Sequence, residues 1–187
     1  MNRFFRLVVL GAVLLAVACG GGGGGGGSGP SYTATYTGPG NTAPGNVVLE
    51  LNSEGGTLVL DVVVYGPLAN VYNIAFRLQY DPAILEYQSA SEGAVFDADN
   101  CNGGDCTTFT LDSATVSDKL VVGLTRKEPG VGVALGAGAN VVMTLTFTPT
   151  AEGGPSAFDF VAGTRELKDA DGTELSTGWF AGTATVT

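Results

Sequence analysis

From residue 31 onward, apolar and polar positions alternate with a period of two rather than 3.6, the pattern of strands that bury one face. In 57–65, Leu58, Leu60, Val62 and Val64 share a face. In 71–80, Tyr72, Ile74, Phe76, Leu78 and Tyr80 point one way, and Asn73, Ala75, Arg77 and Gln79 the other. The stretch 140–149 repeats this with Val141, Met143, Leu145 and Phe147 opposite Val142, Thr144, Thr146 and Thr148. Further strands are predicted at 31–37, 46–52, 84–90, 107–111, 119–125, 157–161 and 179–186. Turn residues separate them: Glu54, Gly55 and Gly56; Gly66 and Pro67; Asp81 and Pro82; Pro129 and Gly130; Gly153, Gly154 and Pro155; Asp171 and Gly172. So many strands and turns predict an all-β fold, an antiparallel two-sheet sandwich of about nine strands.

The first 30 residues follow a different pattern. Arg3 and Arg6 precede an apolar stretch of 11 residues, 7–17, too short to anchor stably across a bilayer, which reads as an export leader. The run Leu15, Ala16, Val17, Ala18, Cys19 resembles the lipobox of bacterial lipoproteins, although Ala16 stands where Leu is commoner. That resemblance implies cleavage after residue 18, lipidation of Cys19, and anchoring to the bacterial cell envelope. Gly20 lacks the Asp that retains enteric lipoproteins in the inner membrane, which points to the outer membrane. Residues 20–30, almost all glycine, predict a flexible tether with a root-mean-square span of roughly 18 Å. The expected organisation is leader 1–18, lipidated Cys and tether 19–30, and one folded domain 31–187.

Charge and composition then narrow the chemistry. Loss of the leader leaves six basic residues against 18 acidic ones, a net charge of −12 that disfavours nucleic acid as a partner and leaves the lipid as the only contact with membrane. The chain has no histidine, which excludes a Ser-His-Asp or Cys-His engine. No pair among the 18 acids stands out for glycoside hydrolysis, and the chain is expected not to be an enzyme.

The segment from Asn73 through Tyr80, Asp81 and Pro82 to Leu85, Glu86 and Gly93 resembles the cohesin domain pattern: a strand ending in Tyr-Asp-Pro, a tight turn into Leu-Glu, then a Gly-closed loop. Residues 119–125, a Gly-rich excursion at 130–138, the strand 141–148, the Asp169 to Gly172 turn and the closing 182–186 fall in cohesin order. The resemblance implies a jelly-roll sandwich of about nine strands that binds dockerins, calcium-loaded helical modules of polysaccharide-degrading enzymes. It places a partner-binding face on Asn73, Ala75, Arg77 and Gln79, with Arg126 and Lys127 at the end of a neighbouring strand. Ala75 stands where type I cohesins often carry Asp, and Arg126 and Lys127 where they tend to present an acidic residue, so the fold is better supported than the usual dockerin specificity. Tyr80, Asp81 and Pro82 are expected to be a fold element, with Pro82 fixing the turn and Tyr80 entering the core.

Other residue groups have bland and sharp readings. Cys101 and Cys106 bracket an acidic, Gly-rich insertion and are expected to form a local disulfide in an exported protein. Asp97, Asp99 and Asp105 are weak calcium candidates, without the spacing of an EF-hand loop; no other cofactor is expected. Asp169, Asp171 and Gly172 resemble half a calcium loop but read first as a hairpin turn. The alternative function is a carbohydrate-binding module attaching to polysaccharide. It would need Trp179 to align with Tyr32, Tyr36, Tyr65 or Tyr87 as a stacking platform, whereas Trp179 and Phe180 must face opposite ways and one of them is expected in the core.

Overall fold

A computed structural model describes residues 31–96, 106–116, 118–127 and 131–187. Every regular element in them is a strand. These are β1 (Ala34–Thr37), β2 (Asn46–Ser53), β3 (Leu58–Gln79), β4 (Leu85–Glu92), β5 (Thr107–Asp112) and β6 (Lys119–Arg126). They continue with β7 (Val133–Pro149), β8 (Gly153–Ala157), β9 (Asp159–Phe160), β10 (Glu166–Asp169), β11 (Gly178–Phe180) and β12 (Thr183–Val186). The all-β sandwich expected from the alternation is the fold, with several short strands added.

The organising element is β3, whose 22 residues belong to two layers. Its first half lies between β2 and β7, with Leu60 opposite Leu51 on one side and Leu145 on the other. Strand β4 continues this layer beyond β7, and β11 beyond β2. The second half of β3 pairs with β6, from Asn73 opposite Thr125 to Gln79 opposite Lys119, and on its other side with β10 and β9. Strand β5 completes that layer outside β6.

Gly66 and Pro67 were expected to end a strand, but β3 runs through them. Proline has no N–H for a ladder and is tolerated where the register slips, and the β3–β7 register shifts between Gly66 and Leu68 and again between Leu68 and Val71. Gly66 is obligatory here, since a Cβ on it would come within 2.1 Å of the Gly136 carbonyl oxygen. The Asn140 side-chain amide donates to the carbonyls of Val64, Gly136 and Gly138 at 2.9–3.1 Å, satisfying backbone acceptors that the bend leaves exposed. Because β7 follows β3 past the bend, 133–138 is strand rather than loop. A further shift lets Val62 face Met143 while Val63 faces Val141, and Val142 is buried beside Met143 instead of opposite it.

The expected strand 179–186 divides in two. Strand β11 runs parallel to β2, the one departure from antiparallel pairing among the described strands, while β12 joins a three-stranded sheet between β1 and β8. Thr33 and Thr187 exchange backbone hydrogen bonds at 2.8 and 2.9 Å, so the described chain begins beside its C-terminus. One apolar core fills the sandwich. Phe76 meets Phe160 edge to face with centroids 5.1 Å apart, and Phe147 contacts Tyr80 and Phe158 at 5.2 and 5.3 Å. Tyr80 is buried as expected, and Asp81 closes the turn after it. The Asp81 carboxylate accepts from the Ala83 N–H at 2.9 Å and its carbonyl from the Leu85 N–H at 3.1 Å.

A candidate binding face

The layer formed by β9 and β10, β3, β6 and β5 packs one side on the core and turns the other outward. Inward go Ile74, Phe76 and Leu78 of β3, Leu120, Val122 and Leu124 of β6, and Leu167 of β10. Outward go Asn73, Ala75, Arg77 and Gln79, as the alternation predicts, and with them the outward phases of β6 and β5. Register sets these residues in rows across the strands. Asn73, Thr125 and Thr108 form one row, Ala75, Gly123 and Thr110 the next, and Arg77, Val121 and Asp112 a third.

The rows differ in their commitments. Thr125 donates its hydroxyl to Asn73 Oδ1 at 2.7 Å. Lys119 pairs with Asp118 at 3.0 Å, Gln79 donates to the same carboxylate at 3.3 Å, and Lys168 pairs with Glu166 at 3.1 Å. The exposed Arg77 side chain forms no ion pair among the described residues. The Thr115 hydroxyl, then the backbone N–H groups of Thr115 and Ala114, hold the Asp112 carboxyl below the usual carboxylate range and pin the turn after β5. At one end of the face lies an open hollow of about 450 Å³ lined by Gln79, Tyr80, Asp81, Asp118, Ser156 and Asp159.

Arg126 is a correction. It was expected at the surface beside Lys127, but it is only 2% exposed. Its position in β6 is in phase with Leu120, Val122 and Leu124, so it points inward, where its guanidinium donates to the Phe96 carbonyl. Lys127, one residue on, is exposed. The residues that alternation in 71–80 alone did not identify are Val121, Gly123 and Thr125 of β6 and Thr108, Thr110 and Asp112 of β5. Their phase was readable, but not the pairing that sets them beside Arg77.

The other candidates fall elsewhere. Cys19, Asp97, Asp99, Cys101 and Asp105 lie outside the described residues, and Cys106 is buried. Asp169 Oδ1 accepts from the N–H groups of Asp171 and Thr173 at 3.0 and 2.7 Å, the hydrogen bonding of a hairpin turn. Among the described residues no group of three or more acidic or thiol side chains is placed to hold a metal ion. Trp179 packs on Phe76 and Phe160 with centroids at 5.9 and 5.2 Å. Phe180 turns the other way, onto a small cluster around Val48, Val63 and Tyr65. Tyr36 is buried in the core and Tyr87 meets Phe147 edge to face, so these side chains do not line up with Trp179 as a sugar platform.

The family model for the Cohesin domain matches residues 49–186. No curated protein matches the chain. Among solved structures, CaCohA2 from Clostridium acetobutylicum aligns with a TM-score of 0.57 at 16% identity, covering 80% of this chain and 88% of that one. The type II cohesin A11 from Bacteroides cellulosolvens aligns with a TM-score of 0.56 at 14% identity, covering 75% and 98%. The sixth cohesin of scaffoldin B from Acetivibrio cellulolyticus, solved with the Cel5 dockerin, aligns at 0.53 with 21% identity, covering 71% and 94%. At such identities these likenesses establish a shared fold.

Proposed function

The chain belongs to the cohesin family, and on that premise we propose that it is a non-catalytic module that captures a dockerin-type protein partner through the outward face of β10, β3, β6 and β5. The observation that carries this reading is the face itself, a polar sheet surface around an exposed Arg77 with no ion pair among the described residues. An arginine so placed suits an interface, because its planar fork makes two parallel hydrogen bonds to one carboxylate. The cohesins of A. cellulolyticus and C. acetobutylicum were solved in complex with dockerins, which supports the partner class. The test is calorimetric titration of the domain with recombinant calcium-loaded dockerin modules, beside a pull-down on insoluble polysaccharide. Saturable binding to a dockerin supports the reading, and retention on polysaccharide alone overturns it.

The proposal includes a location. Cys19 carries a lipid anchor, the glycine tether lets the domain reach its partner from the envelope surface, and Cys101 and Cys106 close the acidic insertion. A dockerin-type partner held there would link the cell envelope to polysaccharide breakdown carried out by that partner. Cys19→Ser is expected to release the protein into the soluble fraction. A variant that still resists carbonate washing contradicts the anchor.

A further inference from the structure

Strands β9 and β10 edge the layer that carries the binding face, and β11 edges the other layer beyond β2. Between these edges, the turn after β9 and the chain from β10 to β11 surround an open hollow of about 370 Å³, a size suited to a small ligand. None of the residues in the rows of the binding face lines it. Its lining mixes unlike groups. The half-buried Trp179 forms part of the wall. The indole N–H donates to Ser176 Oγ at 2.9 Å, and the Ser176 hydroxyl donates in turn to Glu174 Oε1. The same oxygen accepts the backbone N–H groups of Leu167 and Ser176, each at 3.2 Å. These bonds hold Glu174 by one oxygen and leave Oε2 without a hydrogen bond among the described residues. Arg165 is only partly exposed, yet its side chain makes no ion pair or hydrogen bond among the described residues. A guanidinium and a carboxylate thus line one hollow without pairing with each other.

We propose that this hollow binds one sugar residue of a neutral glycan chain. A sugar ring offers the two kinds of surface that the lining calls for. Adjacent hydroxyls accept from the guanidinium and donate to the carboxylate, and the apolar C–H face packs on the indole. Charge then selects among ligands. One cation and one anion leave the lining neutral, and a chain with 18 acidic residues against eight basic ones disfavours an acidic or sulfated glycan. A flat polysaccharide surface does not fit, because the hollow offers one aromatic side chain and not a row of them. The site does not depend on the partner-binding face, so a sugar here and a dockerin there do not compete.

The test follows Trp179, the chain's single tryptophan, by its emission and by its indole N–H resonance while short cello-, xylo- and manno-oligosaccharides are added to the protein. A saturable blue shift of the emission is expected with at least one of them, as the sugar covers the exposed part of the ring. Arg165→Ala removes no core contact and is expected to keep the melting temperature. It should weaken the sugar by about tenfold or more, the scale of a lost hydrogen bond to a charged group. Arg165→Lys should recover only part of that loss, because an ammonium lacks the planar fork. Arg77→Glu is expected to bind the sugar like wild type, and Arg165→Ala to bind a dockerin like wild type. No response to any of the oligosaccharides, in emission or in the indole resonance, would overturn the proposal and leave the dockerin reading in place. Equal sugar affinity in wild type and Arg165→Ala would do the same. So would an Arg165-dependent response to glycine or acetate in place of a sugar, which would assign the hollow to a charged ligand. Failure to bind any dockerin, with the sugar response intact, would overturn the proposed function and leave the sugar site standing.

Discussion

Arg126 shows how a single residue can be read by its charge or by its place in a strand. A basic residue at a strand end suggests a surface contact, but counting by twos from Leu120 puts it inside, and the structure agrees with the count. Its guanidinium donates to the Phe96 carbonyl at the entrance to the insertion between β4 and β5, while its Nε is buried without a hydrogen-bond partner among the described residues. Arg126→Ala is therefore expected to cost about 3 kcal/mol in urea unfolding, from a lost charged hydrogen bond and the space left behind. Partner affinity should stay unchanged where the variant is folded; a loss of affinity would return Arg126 to the binding face. Tyr65 offers a second check. Its hydroxyl donates to the Glu50 carboxylate, which together with burial pushes its pKa up to about 12. The folded state thus holds this proton more tightly than the unfolded one. The stability it contributes is complete below pH 10 and is lost as pH rises towards about 12. Burial also raises the Tyr36, Tyr80 and Tyr87 hydroxyls, so several tyrosines titrate late. In spectrophotometric titration Tyr65→Phe should lower the amplitude of that late phase by one tyrosine, and an unchanged late amplitude would refute the contact.

Among the elements, period-two patterning revealed nearly every long strand and its buried side, because alternation is a local property of the chain. What it could not reveal depends on partners distant in sequence. Gly66 and Pro67 look like punctuation, yet β7 holds β3 together across them, and the Gly-rich 133–138 becomes strand for the same reason. The stretch 179–186 likewise divides because its first part pairs with β2 and its last part with β1 and β8. Trp179 belongs to this scale, since its packing is set by Phe76 of β3 and Phe160 of β9. As the chain's single tryptophan it gives a clean signal. Trp179→Ala is expected to lower stability by about 3 kcal/mol, and the wild-type emission should shift red only on unfolding. A variant of unchanged stability that had lost polysaccharide binding would favour the sugar-binding alternative.

For the whole molecule, the cohesin fold was legible because Tyr80, Asp81 and Pro82 form a compact local motif, while the face was half legible. Asn73, Ala75, Arg77 and Gln79 could be placed on one side of β3, but the rows that join them to Gly123 and Thr110 exist only through the register of β3, β6 and β5. Partner capture by this composite face, and by no other surface, underlies the proposed function. It is tested most directly by measuring, on one preparation, the dockerin affinity and melting temperature of wild type and Arg77→Glu. A loss of roughly thirtyfold in affinity, about 2 kcal/mol, is expected, because the reversed charge would face an acidic group on the partner. Stability should change by no more than about 0.5 kcal/mol, as for an exposed substitution away from the core. Equal affinity in the two proteins, with both fully folded, would contradict it.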